Sequence, residues 1–254
     1  MSLTRKRTKR FILFLVCAAV VALGWSLWQE WRIRHPHKPH RWGGFDVALP
    51  ANYTIHGIDV SHYQGSIHWP SVKAMKEKDV SLRFAFIKAT EGINSTDDAF
   101  SDNWQQSHNC SLSRGAYHFF HPGLDPYLQA WRFILSVQLA KGDMPPVLDA
   151  EATDGLPPAE IRERLCCWLN MVETWYHVKP LIYTNVSFYG ENLKGYINDY
   201  PLWIAHYDVP YPHLNEPWAF WQYSEHGHVN GIDSYVDFNV FSGDSTAFAS
   251  LLVH

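Results

Sequence analysis

Pro145-Pro146-Val147-Leu148-Asp149-Ala150-Glu151-Ala152-Thr153 is an apolar run that ends abruptly in two carboxylates. Its middle reads as a buried strand, so the acids mark that strand's end. Residues two apart on a strand face the same way, which sets the Asp149 and Glu151 Cβ atoms about 6–7 Å apart. Two acids this close do not ionise independently: one pKa rises while the other stays low. A proton donor beside an anionic partner is what glycosidic bond cleavage requires. Taken alone, Asp-x-Glu also fits an acidic turn after a strand. The rest of the chain decides.

Seven further apolar runs accompany this one: Ile55–Ser61, Phe84–Thr90, Gly115–Phe120, Leu181–Asn185, Leu202–Tyr207, Ala219–Ser224 and Val236–Phe241. Helical patterns separate the first five strands and follow the fifth. Trp69–Val80 opens on Trp-Pro, a good first turn. Asp97–His108 begins with two acids, which suit a helix N-terminus. Tyr127–Lys141 carries an apolar stripe, and Pro158–His177 places Ile161, Leu165, Trp168, Leu169, Val172 and Trp175 at helical spacing. Ser187–Ile197 is the shortest. No amphipathic helix fits between the last three strands. The pattern predicts an α/β fold, a closed parallel-type barrel of five βα units and three final strands, irregular in its last third.

In such barrels chemistry gathers at the C-terminal ends of the strands. Polar residues stand at those ends run after run: Asp59; Lys88, Thr90 and Glu91; His118; Asp149 and Glu151; Tyr183 and Asn185; His206 and Tyr207; Gln222 and Tyr223; Asp237 and Asn239. Each has a plain structural explanation, His118 as a packed histidine and Lys88 as a satisfied cation. Together they converge on one mouth, with Trp203, Trp218, Trp221 and several tyrosines available to stack on sugar rings.

Composition limits the alternatives. Of 254 residues 15% are aromatic, with 12 Trp, and only 18% are charged, which suits a large core or an aromatic groove and excludes a disordered chain. A formal net charge of −4 gives no support for nucleic-acid binding. The four cysteines, Cys17, Cys110, Cys166 and Cys167, form no Cys-x-x-Cys, and the 15 histidines form no His-Glu-x-x-His, so neither a metal nor another cofactor is expected.

The N-terminal part divides into a basic segment, 1–10, an uncharged run, Phe11–Trp28, and a linker, 29–54, before the barrel domain, 55–254. As a helix, 11–28 is about 27 Å long, close to the hydrocarbon thickness of a bilayer. It leaves through Trp-Ser-Leu-Trp without the small-residue exit of a cleaved signal, so a single-pass transmembrane anchor is expected, or an uncleaved signal. Arg5, Lys6, Arg7, Lys9 and Arg10 favour a cytoplasmic N-terminus, with the barrel on the periplasmic or extracellular side of a bacterial inner membrane. Cleavage would make the protein secreted. His35-Pro36-His37-Lys38-Pro39-His40 reads as a stiff spacer.

Seven blocks, in order, resemble family-25 glycoside hydrolases, the Chalaropsis-type lysozymes: Gly57-Ile58-Asp59-Val60-Ser61-His62-Tyr63-Gln64-Gly65, Ile87-Lys88-Ala89-Thr90-Glu91-Gly92, Arg114-Gly115-Ala116-Tyr117-His118-Phe119, Leu148-Asp149-Ala150-Glu151, Trp203-Ile204-Ala205-His206-Tyr207, Trp221-Gln222-Tyr223-Ser224, and Val229-x-Gly231-Ile232 leading to Val236-Asp237-x-Asn239-x-Phe241. The resemblance implies a TIM-like (β/α)5β3 barrel and an N-acetylmuramidase cutting the β-1,4 bond between N-acetylmuramic acid and N-acetylglucosamine in peptidoglycan strands. It implies Glu151 as general acid and Asp149 as its partner, with Asp59 and Asp237 lining the subsite where positive charge develops. Lys88, Glu91, His118, Tyr183, His206, Gln222 and Tyr223 are then substrate-binding candidates. The competing expectation is a non-catalytic glycan-binding envelope module, against which the four intact acids count. Metal-dependent sugar deacetylation is a third, for which the histidine spacing offers no ligand pattern.

Overall fold

The computed structural model describes residues 42–254. The basic segment, the anchor expected at 11–28 and the first part of the linker lie outside those residues. Among the described residues no helix is long and apolar enough to cross a membrane.

Eight strands close a barrel: β1 (His56–Val60), β2 (Val80–Glu91), β3 (Ser113–Phe119), β4 (Val147–Asp149), β5 (Leu181–Asn185), β6 (Leu202–Ala205), β7 (Phe220–Gly227) and β8 (Val236–Phe241). Four helices fill the first four crossovers: α1 (Trp69–Ala74), α2 (Phe100–Asn109), α3 (Pro126–Ser136) and α4 (Pro158–Tyr176). A short helical stretch, Val186–Phe188 continuing through Tyr189–Leu193, fills the fifth, and α5 (Ser245–Leu251) follows β8. This is the expected alternation of five strand–helix units and three strands.

Strand direction departs from expectation at one place. β1 to β7 run parallel in sequence order, but β8 is antiparallel to both β7 and β1. Asp237 therefore stands at the start of its strand, not the end. The reversal is what brings it to the mouth, where it is the register partner of Asp59.

Helix α1 also stops earlier than expected. Met75 turns extended, and Lys76–Glu77 pairs with Val80–Ser81 in a tight hairpin whose Lys78 has φ 53°. The second helix begins at Phe100, later than expected, and Asp97 opens the turn before it: its Oδ1 accepts from the Ala99 amide and its carbonyl from the Phe100 amide, both at 3.0 Å. Its Oδ2 accepts from the His62 amide at 3.0 Å and lies 2.7 Å from His62 Nδ1, holding the loop after β1.

Two apolar layers follow from strand alternation. Ala85, Ile87 and Ala89 face outward to the helices, while Phe84 and Phe86 face the lumen with Trp203, Phe220, Phe241 and Phe248. The lumen holds such rings because Gly57 and Gly115 leave room: a Cβ there would meet the Phe84 ring at 2.4 Å and the Phe86 ring at 2.6 Å. Phe86 stacks on Trp203 with centroids 4.2 Å apart, so a rigid aromatic floor lies beneath the mouth. Truncating such a side chain costs about 3–5 kcal/mol.

Candidate active site

The open end of the barrel is a cavity of about 280 Å³ lined by Asp59, Asp149, Glu151, Glu225 and Asp237, with Lys88 as its cation. Tyr117, Phe119, Tyr183, Trp203 and Tyr207 form its aromatic walls, and Ser61, Tyr63 and Gln222 complete the lining.

Asp59 is the best-held acid. Its Oδ2 accepts from Gln222 Nε2 and from Asn239 Nδ2, both at 2.7 Å. Both amides are oriented from behind. The Tyr183 and Tyr207 hydroxyls each donate to Gln222 Oε1 at 2.7 Å, and Trp203 Nε1 donates to Asn239 Oδ1 at 2.8 Å. Burial, and then the charge of Asp237, push Asp59 well above the usual carboxylate range, against the pull of the two amide donors. Burial raises Asp237 to about 6, while its contact with Asp59 works in the opposite direction. The two carboxyls hold a proton jointly into the weakly acidic range, and their apparent pKa values belong to the pair.

Asp149 and Glu151 make the second pair. β4 ends at Asp149, so Glu151 lies beyond the ladder, yet both acids reach the cavity. Asp149 is buried, and its Oδ1 has no hydrogen-bond partner. Burial first and then Glu151's charge raise it well above the usual range, with Lys88 opposing. Glu151 has solvent-exposed surface, but its carboxyl sits inside the concave mouth; desolvation raises its pKa and Lys88 opposes. The upward push is stronger on the deeper Asp149, where the repulsion between the two acids adds to burial. Lys88 is itself tied to Glu91 at 2.7 Å, and Glu91 to His121 at 3.2 Å. Glu91 thus supports the rim from beside the cavity, and Lys88, first among its partners, keeps its carboxyl low.

Three further residues expected at the site, besides Glu91, are not in it. His118 is fully buried on the outer side of β3, bonded to Thr90 Oγ1 at 2.7 Å and to Gln129 Oε1 at 3.2 Å, and stacked on Trp168. Gln129 Oε1 only accepts, so Nε2 carries the proton and Nδ1 takes the Thr90 hydroxyl. Burial lowers His118 to about 3 and keeps it neutral. A register irregularity between Lys88 and Thr90 turns Thr90 out toward it. Tyr223 packs outside the barrel against Trp221 and Phe238. His206 meets the His213 ring edge-on and accepts from that residue's amide, away from the cavity. In each case the neighbour one position away lines the mouth instead: Tyr117 and Phe119, Gln222, and Tyr207. Period-two alternation, counted from Phe84, Phe86 and Lys88, was the signal for Tyr117 and Phe119. Ser61, Tyr63 and Glu225 lie on loops or a strand end where alternation gives no guidance.

Known proteins resemble this chain in sequence and fold. The family model described as glycosyl hydrolases family 25 matches residues 58–232. Lysozyme M1 from Streptomyces globisporus is 36% identical over 217 residues, covering 78% of this chain and 71% of its own. The Escherichia coli K12 protein YegX is 48% identical over 200 residues, 78% of this chain and 74% of its own. A solved family 25 glycosyl hydrolase from Bacillus anthracis superposes with a TM-score of 0.75 at 30% identity, covering 84% of this chain and 100% of that one. The sequence blocks and the barrel agree with these matches, and the chain belongs to glycosyl hydrolase family 25, as a glycoside hydrolase.

Proposed function

We propose that the protein is an N-acetylmuramidase that hydrolyses the β-1,4 bond between N-acetylmuramic acid and N-acetylglucosamine in peptidoglycan. The observation that carries this reading is the pairing of Asp149 with Glu151 in one aromatic-walled cavity, facing a second pair, Asp59 and Asp237. The name lysozyme borne by the Streptomyces relative agrees with it. Glu151, raised and open to the cleft, acts as general acid to the glycosidic oxygen. Asp149 is the deeper acid and is raised further, so the active form is the one in which the shared proton sits on Glu151. Anionic Asp149, whose buried Oδ1 lacks a partner, then orients the substrate's N-acetyl group and stabilises the positive charge that develops. Asp59 and Asp237 keep that subsite negative as the transition state forms. Lys88 and the Tyr183–Gln222–Tyr207 group hold these acids and the sugar in place.

The sequence of residues 11–28 supports a further part of the proposal: a single-pass anchor in a bacterial inner membrane, with the barrel on the periplasmic or extracellular side. Protease added from outside to intact spheroplasts then removes the barrel; its survival argues for another location.

Mass spectrometry of peptidoglycan digested by the full chain tests the activity. Products ending in reducing muramic acid are expected. Anhydro ends would mean a transglycosylase, and an unchanged polymer a binding module.

A further inference from the structure

A second cavity, of about 430 Å³, opens at the barrel end opposite the mouth. Lys73, Lys76 and Arg83 line it together with Ser81, Ser111, Ser113 and Ser245, and no carboxylate does. The fold explains the clustering. Ser81 and Arg83 are two apart at the start of β2 and so share a face, Lys76 is the hairpin partner of Ser81, and Ser113 begins β3 beside Phe84. Lys73 Nζ donates to the Ser111 carbonyl at 3.1 Å, which fixes it at the wall.

These cations are unneutralised. Among the described residues no ion pair engages Lys73, Lys76 or Arg83. Two acids adjacent in sequence to lining residues are turned to other work: Glu77 Oε2 accepts from the Phe45 amide, and Asp244 Oδ1 caps α5 through Thr246 and Ala247. Burial, and then the charge of Arg83, lower the pKa of Lys73, as like charges crowded without a counter-ion require. In a chain of net charge −4 this is a local positive basin.

From the cavity, its three unpaired cations and its ring of serines, we infer a second ligand site that takes a phosphate ester. A planar guanidinium, two ammonium groups and several hydroxyls supply the convergent donors that a tetrahedral oxyanion accepts. The cavity is larger than a bare phosphate needs, which leaves room for the organic group it carries. With the site at the base of the barrel, a phosphate held there leaves the acidic mouth free for glycan.

Isothermal titration calorimetry of the full chain in neutral detergent, at constant ionic strength, tests this. The probes are inorganic phosphate and glycerophosphoglycerol, the headgroup of an anionic phospholipid. K76Q/R83Q removes two exposed cations of the site, and K141Q/K179Q removes the same charge from exposed positions elsewhere. Saturable binding is expected in the wild type and in K141Q/K179Q, and at least about tenfold weaker binding in K76Q/R83Q, since charge-assisted bonds are lost. Unchanged circular dichroism and melting confirm that the variants fold. Tighter binding of glycerophosphoglycerol supports the ester and identifies a lipid headgroup as its source, whereas tighter binding of inorganic phosphate overturns the ester and leaves a free-ion site. The site is overturned by the absence of saturable heat with both probes, or by equal affinity in K76Q/R83Q and K141Q/K179Q.

Discussion

Replacing Asp237 with Asn makes the protein more stable at neutral pH. Asp237 rises from 3.8 to about 6 in the folded state, so the native protein binds its proton more tightly than the unfolded chain does. The sign follows: the stability tied to that proton is fully present below pH 3.8 and is lost as pH rises through about 6. At about 1.36 kcal/mol for each tenfold change in proton affinity, the loss is at most about 3 kcal/mol. Part of it belongs to Asp59, with which Asp237 shares its titration. Asparagine keeps the shape, cannot ionise, and offers an N–H to Asp59. Urea unfolding of wild type and Asp237→Asn between pH 4 and pH 8 measures the difference. The variant gains little at pH 4 and up to about 3 kcal/mol above pH 6.5, equivalent to about 6–12 °C in melting temperature for a domain of this size. A variant less stable than wild type at pH 7.5, or a gain that does not vary with pH, would refute the assigned coupling. Hydrolysis falls in the same variant, so the acidic mouth trades stability for activity.

Other perturbations have equally definite outcomes. His118 is lowered to about 3 by burial, so its neutral form contributes stability that is present above pH 6.5 and lost as pH falls toward 3; His118→Asn flattens the acid side of the stability profile while kcat stays within about twofold, because the ring does not touch the cleft. Tyr183→Phe or Tyr207→Phe alone leaves Gln222 Oε1 one donor and costs little stability. The double variant strands a buried acceptor and costs about 1–3 kcal/mol, more than the two singles together, which denaturant titration of all three variants reads. Cys110, Cys166 and Cys167 are free thiols, and the triple Ser variant retains hydrolysis in a turbidity assay; complete loss of activity in a folded variant would reveal a redox role.

The barrel was legible because each strand candidate was a compact apolar run with polar residues at its mouth end. Leu181–Asn185 and Val236–Phe241 form strands with those bounds. The direction of β8 is not written in its own alternation, which is the same read either way. Its signal lay in the connection: only residues 228–235 separate β7 from β8, too few for a parallel crossover, which needs about a dozen. Asp59, Lys88, Asp149, Glu151, Tyr183, Gln222 and Asp237 do line the cavity. His118, His206 and Tyr223 do not, because the sequence pattern marks a strand's polar end but a one-residue change of parity moves a side chain from lumen to sheath. The expected Asp149–Glu151 geometry also rested on a strand that stops at Asp149. Glu151 reaches the cleft from the loop beyond it, so its placement depends on tertiary packing that local spacing does not encode.

The rate at which purified, folded Glu151→Gln releases new reducing ends from peptidoglycan bears on the whole mechanism. Glutamine keeps the shape and the hydrogen bonding of the acid but has no proton to give the leaving oxygen. Glycan binding persists, and cleavage is slower than wild type by at least about 100-fold, within the range that general acid catalysis contributes. Cleavage near the wild-type rate would mean that the proton comes from another group and that Glu151 is not the acid.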